Sequence, residues 1–241
     1  MSLLSELRAV AKIFGIEVNR YNTAQSKAAR IGVQLAYHEI DCILDVGANN
    51  GGYARFIRSA GFSGNIVSFE PQADAHQKLI LASRADPAWH IAPRMALGYT
   101  ESKMEINVSE NSTSSSLLKV LPSHIESAPE SKCIRTEQVD VHRLDTLGDS
   151  TINAARRIYL KIDTQGYEMP VILGAAGIMD RIVGVQLEMS VIPLYEGQSL
   201  YQDLLVWFSN AGFELWGVEP GFMNKTTGRM LQFDGIFFRK Q

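Results

Sequence analysis

The stretch CILDVGANNGGYARFI, residues 42–57, predicts a buried strand, a glycine-containing turn and the start of a helix. Its apolar run Cys42–Val46 is continuous, which is typical of a strand covered on both faces. Gly47 allows the backbone to approach a ligand closely, and Gly51 or Gly52 can adopt conformations that other residues avoid. In an open α/β sheet, ligands bind beyond the carboxyl ends of the strands, so this turn is the expected ligand site.

Short apolar strands alternate with helical segments over the rest of the chain. Seven strands are predicted, at Cys42–Val46, Asn65–Glu70, His90–Met95, Ile158–Asp163, Gly184–Glu188, Phe213–Val218 and Gly235–Arg239. Helices are predicted at Gly52–Ala60, Asp74–Ser83, Met169–Ala176 and Leu200–Ala211. The side chains of Asn49 and Asn50 are expected to cap the first of these helices. The alternation predicts a Rossmann-like, doubly wound α/β fold with a seven-stranded, mostly parallel sheet.

Two segments depart from this alternation. The last two strands are joined by EPGFMNKTTGRMLQF, residues 219–233, which is turn-rich and predicts an antiparallel hairpin at one sheet edge. Residues 99–140 combine two short strand candidates, Met104–Val108 and Ile134–Val141, with the Ser-rich loop Asn111–Ser116. We expect this region to form an excursion from the main sheet.

Residues 1–38 are expected to form a helical cap on a main domain of residues 39–241. A second helical run spans Ala24–Tyr37, and before it apolar residues recur at helical spacing, at Leu3, Leu4, Leu7, Val10, Ile13 and Phe14. Glu6, Arg8 and Lys12 interrupt this apolar pattern, which argues against a membrane span or a secretory segment. Alternatives to a cap are a substrate lid and a dimer contact, so a homodimer is considered.

Composition excludes several classes of function. The 241 residues carry a net charge of -3, which gives no basic excess to attract nucleic acid or anionic lipid. The two cysteines, Cys42 and Cys133, are some ninety residues apart and belong to no Cys/His cluster, so no zinc site or disulfide framework is predicted. A reducing, cytoplasmic setting is the simplest expectation.

The ligand of the glycine turn is predicted from the acids around it. The run GANNGG places Asn49 where a dinucleotide-binding fingerprint has its second glycine, and Asp45 at the strand end would repel a pyrophosphate. Asp45 would instead suit the ammonium group of a methionine moiety. Glu70 ends the next strand twenty-five residues later and is placed to accept hydrogen bonds from ribose hydroxyls. These features favour S-adenosylmethionine over a nicotinamide cofactor.

At this point the chain resembles the FkbM-type methyltransferases. The resemblance covers roughly residues 40–240 and rests on ordered blocks: DVGANNGGY (45–53), FEP (69–71), ALG (96–98) with NSTSSSL (111–117), and LKIDTQGYE (160–168) leading into VILGA (171–175). It implies a class I methyltransferase fold, S-adenosylmethionine as donor, and methylation of a hydroxyl on a sugar or natural product.

The resemblance also implies roles for particular residues. Asp45, Gly47, Asn49 and Gly51 would line the methionine end of the donor, Glu70 would bind its ribose, and Asp163 would face its methyl group. Two positions depart from the family pattern. Gly52 stands where a larger residue is common, and Gln165 stands where an acid is common, which argues against an obligatory carboxylate there.

The end of the fourth strand carries the candidate catalytic groups. A sugar hydroxyl needs a general base, and Asp163 closes the strand IYLKID beside the expected crevice. Glu188 ends the next strand, and Glu168 falls in the first helical turn, where it could instead stabilise the helix start. Asp163 could alternatively bind the donor's amino acid end. Three such acids could also hold a divalent metal, although no metal site is predicted.

Other polar and aromatic residues are secondary candidates. His142 or His124 could replace Asp163 as the base, whereas His38, His76 and His90 are expected at the surface. Lys161 is expected to be a solvated or salt-bridged strand residue. Tyr195 and Trp216 could form an aromatic wall for a sugar ring, although both residue types are more often core or rim residues.

The predicted function is therefore S-adenosylmethionine-dependent O-methylation of a hydroxyl on a sugar, glycoconjugate or natural product. Asp163, Glu188 and His142 are the catalytic candidates, and a small-molecule or carbohydrate acceptor is the expected partner. The alternatives are a non-catalytic cofactor-binding module of the same fold and an NAD-dependent oxidoreductase.

Overall fold

The computed structural model describes residues 3–240, with side chains described from Ser5 onward. Its helices are α1 to α8, at Leu3–Ile13, Lys27–Tyr37, Gly52–Ser59, Ala73–Ser83, Pro122–Ser127, Ser150–Ala154, Glu168–Leu173 and Tyr201–Asn210. Its strands are β1 to β10, at Cys42–Val46, Asn65–Phe69, Trp89–Ile91, Ala96–Leu97, Ser102–Ser109, Cys133–His142, Ile158–Ile162, Ile182–Ser190, Phe213–Pro220 and Gln232–Arg239. All seven predicted main-sheet strands are present, most within two residues of the expected bounds.

The main sheet has seven strands in the order β3-β2-β1-β7-β8-β10-β9. The five strands from β3 to β8 are parallel, and β10 runs antiparallel to both of its neighbours. The parallel register brings Val46, Phe69 and Ile162 level with one another, so three strands end at the same edge. This order is that of the class I methyltransferase fold, and the predicted fold class and edge hairpin are confirmed.

Two hydrophobic layers cover the sheet because its central strands are apolar on both faces. On one face, residues of α6, α7 and α8 such as Ile152, Val171 and Phe208 pack on the sheet. On the other, α3 and α4 contribute Ile57 and Leu79. Every residue of β1 is buried, as expected of a continuous apolar strand between two layers.

The predicted excursion forms a second sheet of three strands in the order β4-β6-β5. The long strands β5 and β6 are antiparallel, and the short β4 pairs in parallel with the end of β6. The Ser-rich loop follows β5 and folds back against it, as shown by the isolated β-bridge between Asn107 and Ser116. This loop lies beside the carboxyl edge of the main sheet, where Gln72 Nε2 donates to the Ser112 carbonyl oxygen (3.0 Å).

The N-terminal region divides into two differently packed helices. Ser26 caps α2, and Ile31 and Leu35 of α2 are buried in the layer formed by α3 and α4. Leu7, Val10, Ile13 and Phe14 are exposed along and just after α1, while the side chains of Leu3 and Leu4 lie outside the described part. The predicted division into a helical cap of residues 1–38 and a main domain of residues 39–241 stays a prediction. Met1, Ser2 and Gln241 of these segments lie outside the described residues. None of the helices in residues 3–240 is long and apolar enough to cross a membrane.

The expected exposure of His38 was wrong, and Trp216 lies away from the expected crevice. His38, expected at the surface, is 2% exposed and stacks on Phe238 with ring centroids 3.9 Å apart. Trp216 packs against His38 and Phe238 on the edge strand β9, so it is not a wall of the expected crevice. His38 fills the end of the layer between α2 and the sheet, and Trp216, which is 41% exposed, covers it from the rim.

Candidate active site

The glycine turn after β1 is shaped by the strands beside it. Gly47 has a φ of 76°, and a Cβ atom there would collide with the carbonyl oxygen of Asp163. The amides of Gly47 and Ala48 both donate to the carbonyl oxygen of Phe69. A glycine is therefore needed at position 47 mainly because the chain at the end of β7 passes so close to it. Gly47 also lines the cleft described below.

The next glycine of the turn serves packing. Gly51 directly precedes α3 with a φ of 81°, and a Cβ atom there would lie 2.5 Å from the Trp89 ring. It is not among the residues that line the cleft, so its predicted contact with a cofactor is not supported. The prediction that Asn49 or Asn50 caps this helix was wrong, because no side chain caps it and Asn50 Oδ1 accepts from Arg55.

Glu70 is held at the end of β2 by two backbone amides. Its Oε2 accepts from Asn49 N (2.7 Å) and its Oε1 accepts from Gln72 N (2.8 Å). Burial raises the pKa of Glu70 to about 7, and the two amide hydrogen bonds oppose that rise. Each carboxylate oxygen keeps a second lone pair, so Glu70 can still accept a hydrogen bond from a ligand hydroxyl.

Asp45 lies behind the cleft in a buried ion pair. It is fully buried, faces Lys161 across the β1–β7 register, and its Oδ1 lies 3.4 Å from Lys161 Nζ. The same ammonium lies 3.5 Å from Asp163 Oδ2. Burial lowers the pKa of Lys161, but the carboxylates of Asp163 and Asp45 outweigh that effect and raise it. Asp45 therefore pairs with Lys161, whereas the sequence predicted that it would pair with the ammonium group of a cofactor. Lys161 was expected to be solvated or salt-bridged, and it is buried and ion-paired.

A first cleft opens at the carboxyl edge of β1, β2 and β7. It encloses about 640 Å³ of space, counting the part open to solvent. Gly47, Asn49, Glu70 and Asp163 line it, in agreement with their predicted positions. An apolar wall is formed by residues that the sequence did not single out, namely Phe69, Met95, Leu97, Ile106, Leu117 and Tyr167.

The Ser-rich loop closes one side of this first cleft. Ser112 Oγ accepts from Asn49 Nδ2 (3.4 Å), and Ser115 Oγ donates to Gln72 Oε1 (3.1 Å). Ser116 Oγ donates to the carbonyl oxygen of Gln165 (2.7 Å). The loop is thus attached both to the turn after β1 and to the turn after β7. Apart from the run of serines itself, nothing in the sequence predicted these contacts.

The turn between β7 and α7 is closed by Glu168. Its Oε1 accepts from Thr164 N, Thr164 Oγ1 and Gly166 N, at 3.0–3.2 Å. Burial raises the pKa of Glu168 to about 7, and these backbone hydrogen bonds limit the rise. These contacts support the structural alternative for Glu168, and the residue lines neither the first cleft nor the second cleft described next.

A second cleft of about 790 Å³, again counting open space, lies on the other side of Asp163. Asp163, Gln165 and Thr113 line both clefts. Glu188 lines the second, and its Oε2 accepts from Gln165 Nε2 (2.6 Å) and Gln232 Nε2 (2.7 Å). The Asp163 side chain is 38% exposed, so its carboxylate is accessible where the clefts meet.

The two candidate histidines occupy different places. His142 Nδ1 lies 2.6 Å from Glu101 Oε2 on the second sheet, and His142 lines neither cleft, so its position does not support a catalytic role. His124 lines the second cleft and is 2% exposed. Burial lowers the pKa of His124 to about 4, so the ring is neutral near pH 7.

Neither the predicted aromatic wall nor a three-acid metal site is assembled here. Tyr195 is buried, and its hydroxyl donates to Gln165 Oε1 (2.7 Å) and the Ser114 carbonyl oxygen (3.0 Å), which share its single hydrogen. Across residues 3–240, no group of three or more His, Cys, Asp or Glu side chains is arranged to hold a metal ion. The Gln165 amide, rather than a third carboxylate, lies between Asp163 and Glu188.

Comparison with known families identifies the chain. The model of the methyltransferase FkbM domain matches residues 45–215, which is well over half of the sequence. This protein belongs to the FkbM methyltransferase family. It is an S-adenosylmethionine-dependent methyltransferase, and S-adenosylmethionine is its methyl donor. The oxidoreductase and non-catalytic alternatives are therefore set aside. A comparison with curated proteins found no match.

Solved structures with low sequence identity are also similar to this chain. A provisionally named RNA methyltransferase from Pyrococcus horikoshii has a TM-score of 0.48 and 9% identity, with 100% of each chain covered. Precorrin-6y C5,15-methyltransferase from Geobacter metallireducens has a TM-score of 0.47 and 11% identity, with 94% of each chain covered. An S-adenosylmethionine-dependent methyltransferase from Mesorhizobium loti has a TM-score of 0.48 and 9% identity, covering 89% of this chain and 98% of its own.

The residues of the first cleft fit the chemistry of this donor. The apolar wall can pack against a planar base, and Glu70 at the tip of β2 can accept from ribose hydroxyls. Gly47 and Asn49 can line the methionine end, next to Asp163. Glu70 follows β2, Gly47 and Asn49 follow β1, and Asp163 follows β7, so these groups lie in that order along the edge of the sheet.

Proposed function

We propose that this enzyme methylates a hydroxyl group of a sugar, glycoconjugate or natural product. The observation that carries the proposal is the position of Asp163, which lines both clefts. The first cleft suits the donor, and the second is then the acceptor cleft. A carboxylate shared by the two can reach a hydroxyl that lies next to the donor's methyl group.

The donor would be held along the first cleft by few polar groups. The base would lie against the apolar wall, the ribose would bind Glu70, and the methionine end would lie near Gly47 and Asn49. Asp45 would act indirectly, because it is paired with Lys161 behind the turn. When bound, the donor supplies an electrophilic methyl group on a sulfonium.

Asp163 would act as the general base. The acceptor oxygen forms a bond to the methyl carbon as the sulfur–methyl bond breaks, and the hydroxyl proton passes to Asp163. The products are a methyl ether and S-adenosylhomocysteine, and the proton then leaves Asp163 to solvent. The carboxylate is suited to this because it is exposed enough to exchange its proton and is oriented by Gln165 Nε2 (2.8 Å).

The acceptor cleft favours an uncharged, hydroxyl-rich molecule. Neutral hydrogen-bonding groups dominate its lining, at Asn111, Thr113, Ser114, Ser127, Gln165 and Gln232. Phe222 offers an aromatic surface of the kind that packs against apolar faces. The acids Glu130, Asp163 and Glu188 outnumber the one cation, Lys225, among the charged lining residues. A phosphate-rich chain would be repelled here, which favours a sugar over nucleic acid.

Transfer of tritium from labelled donor to a panel of acceptors tests this function. The panel contains sugars, sugar nucleotides, glycolipids and RNA, and we expect label in an alkali-stable methyl ether of a carbohydrate. Asp163→Asn should lower single-turnover transfer by about 10²–10⁴-fold, the range for loss of a general base. Asp140→Asn is the matched control, because Asp140 lies exposed on the second sheet against Lys103 (3.5 Å).

Two results would count against the proposal. Label appearing only in RNA would remove the carbohydrate acceptor. An Asp163→Asn variant with full turnover would remove Asp163 as the base, whereas loss of S-adenosylhomocysteine affinity with turnover restored at saturating donor would assign Asp163 to donor binding.

A further inference from the structure

The side-chain amide of Gln165 joins two carboxyl groups that face the acceptor cleft. Its Nε2 donates to Asp163 Oδ1 (2.8 Å) and to Glu188 Oε2 (2.6 Å). Its Oε1 accepts the Tyr195 hydroxyl (2.7 Å). This orientation is chemically determined, because a flipped amide would turn its oxygen toward two acids and its NH₂ toward a hydroxyl donor. All three polar contacts of the amide are therefore used within the site.

The backbone around Gln165 is built to hold this orientation. Gln165 is 8% exposed and has a φ of 55°, a conformation that is uncommon outside glycine and asparagine. Ser116 Oγ donates to the Gln165 carbonyl oxygen (2.7 Å), so the Ser-rich loop fixes the residue from one side. Buried Tyr195 fixes the amide from the other side. A surface turn has no need of such restraint, which points to a functional arrangement.

Glu188 receives its hydrogen bonds on one oxygen only. Gln165 and Gln232 both donate to Oε2, which leaves Oε1 free to carry a proton. Burial raises the pKa of Glu188 well above its usual range, and the carboxylates of Asp163, Asp234 and Glu168 add to the rise. The charged and titratable groups around this pair are Asp45, Lys161, Glu168, Tyr195 and Asp234, together with His124, Glu130 and Lys225 of the acceptor cleft. A neutral Glu188 beside an ionised Asp163 gives the pair one negative charge.

We propose that Gln165 is a positioning residue that holds Asp163 and Glu188 as a carboxyl clamp, in which ionised Asp163 takes the proton of the reacting hydroxyl and protonated Glu188 donates to a neighbouring oxygen of the acceptor. The clamp rests on the proposed function. It selects acceptors with a second oxygen close to the methylated one, as in a sugar ring.

Carboxyl-carbon NMR titration tests the clamp without an acceptor. The Glu188 signal in protein labelled at glutamate Cδ is identified by its loss in Glu188→Gln, and its midpoint is followed with and without S-adenosylhomocysteine. Gln165→Met keeps the side-chain length and removes the donor to both carboxyl groups. We expect the Glu188 midpoint to rise by about one pH unit, because a hydrogen bond to the charged form is lost and repulsion from Asp163 is less screened.

A matched variant and a milder one complete the test. Gln232→Met removes the other donor to Glu188 without removing a donor to Asp163, so it should also raise the Glu188 midpoint, and Asp140→Asn on the second sheet is the control that should leave midpoint and turnover unchanged. Gln165→Met should lower turnover at least tenfold on the acceptor found by tritium transfer. If Gln165→Met does not fold, Tyr195→Phe frees the amide and should raise the Glu188 midpoint by a smaller amount.

Gln165→Glu provides a readout that a purely structural role would not move. Its third carboxyl can donate only when protonated, so turnover at saturating donor, relative to that of the parent at the same pH, should increase as pH falls from 8 to 6. Glu188 midpoints that are unchanged in Gln165→Met and Tyr195→Phe would overturn the clamp and leave the proposed function standing. Shifted midpoints with no methylated hydroxyl in any acceptor would support the positioning of the two carboxyl groups by Gln165 and refute the proposed function.

Discussion

Lys161→Met is the substitution that most directly tests how the turn after β1 is supported. Methionine keeps the length of the lysine stem and removes the ammonium, which lies 3.4 Å from Asp45 and 3.5 Å from Asp163. Asp45 would then be a fully buried carboxyl whose remaining side-chain donor is Ser68 Oγ, at 3.2 Å. The substitution leaves a buried charge uncompensated, which is among the few changes that destabilise proteins severely.

The size of the effect follows from the geometry. Two unit charges 3.4 Å apart attract by about 5 kcal/mol at an effective dielectric constant of about 20. Part of this is offset because the lysine no longer has to be desolvated, and the half-exposed Asp163 contributes less because solvent screens it. We therefore expect the free energy of unfolding to fall by about 3–5 kcal/mol at pH 8, as when one partner of a buried pair is removed.

The pH dependence gives the sharper test. Burial raises the pKa of Asp45 and Lys161 opposes that rise, so the pKa increases further in Lys161→Met. A carboxyl whose pKa is higher in the folded state binds its proton more tightly there, so its contribution to stability is complete below the unfolded value and is lost as pH rises. The variant should therefore recover stability as pH falls from 8 toward 5, by up to about 1.4 kcal/mol per pH unit.

Urea denaturation followed by circular dichroism measures both quantities. Asp45→Asn combined with Lys161→Met is the control, because it removes the buried charge and should be less pH-dependent over the same range. The reasoning is refuted if Lys161→Met loses less than about 1 kcal/mol at pH 8, or if its loss is the same at pH 5 as at pH 8.

Two further predictions concern the first cleft. S-adenosylhomocysteine should bind roughly tenfold more weakly at pH 6 than at pH 8, because the pKa of Glu70 is about 7 and ribose hydroxyls donate to its ionised form. Glu70→Gln should lose about 1.5–3 kcal/mol of affinity for S-adenosylhomocysteine at pH 8, and its affinity should be almost independent of pH, as measured by calorimetry. If the parent protein binds equally well at both pH values, Glu70 does not bind the ribose. Gly51→Ala should lower the free energy of unfolding by about 1–3 kcal/mol, because its Cβ meets Trp89, while donor affinity stays unchanged. A stably folded Gly51→Ala that binds donor poorly would return Gly51 to the cofactor site.

The sheet could be predicted from the sequence because each strand carries its own signal. The continuous apolar runs of β1 and β7 and the turn-rich segment before β10 do not depend on distant contacts. Glu70, Gly47 and Asn49 could be placed for the same reason, since a strand end and its turn lie at the sheet edge in any parallel fold. Their positions follow from local pattern alone.

Asp45 and Lys161 show where that reasoning fails. Both were interpreted from their place in one strand, but their environment depends on which face of the sheet they point to and what lies opposite. Alternation puts Lys161 and Asp163 on the same face, and the register then places Asp45 beside Lys161. The pairing of β1 with β7 is a long-range fact, so the sequence alone left the acid free to meet a cofactor and the lysine free to meet solvent.

The donor and acceptor halves of the site differ in the same way. The first cleft is built from strand tips of the main sheet, the second sheet and the Ser-rich loop, whereas the second cleft adds α5 through His124 and the 219–233 hairpin through Phe222 and Lys225. Helix α5 and the hairpin lie far apart in the chain, and both line the second cleft together with Asp163 and Gln165. Changes in them can therefore alter the acceptor while the strand tips keep the donor site. Under the proposed function, methyl transfer is tied to the fold of the main sheet, and the choice of acceptor is set by segments attached to it.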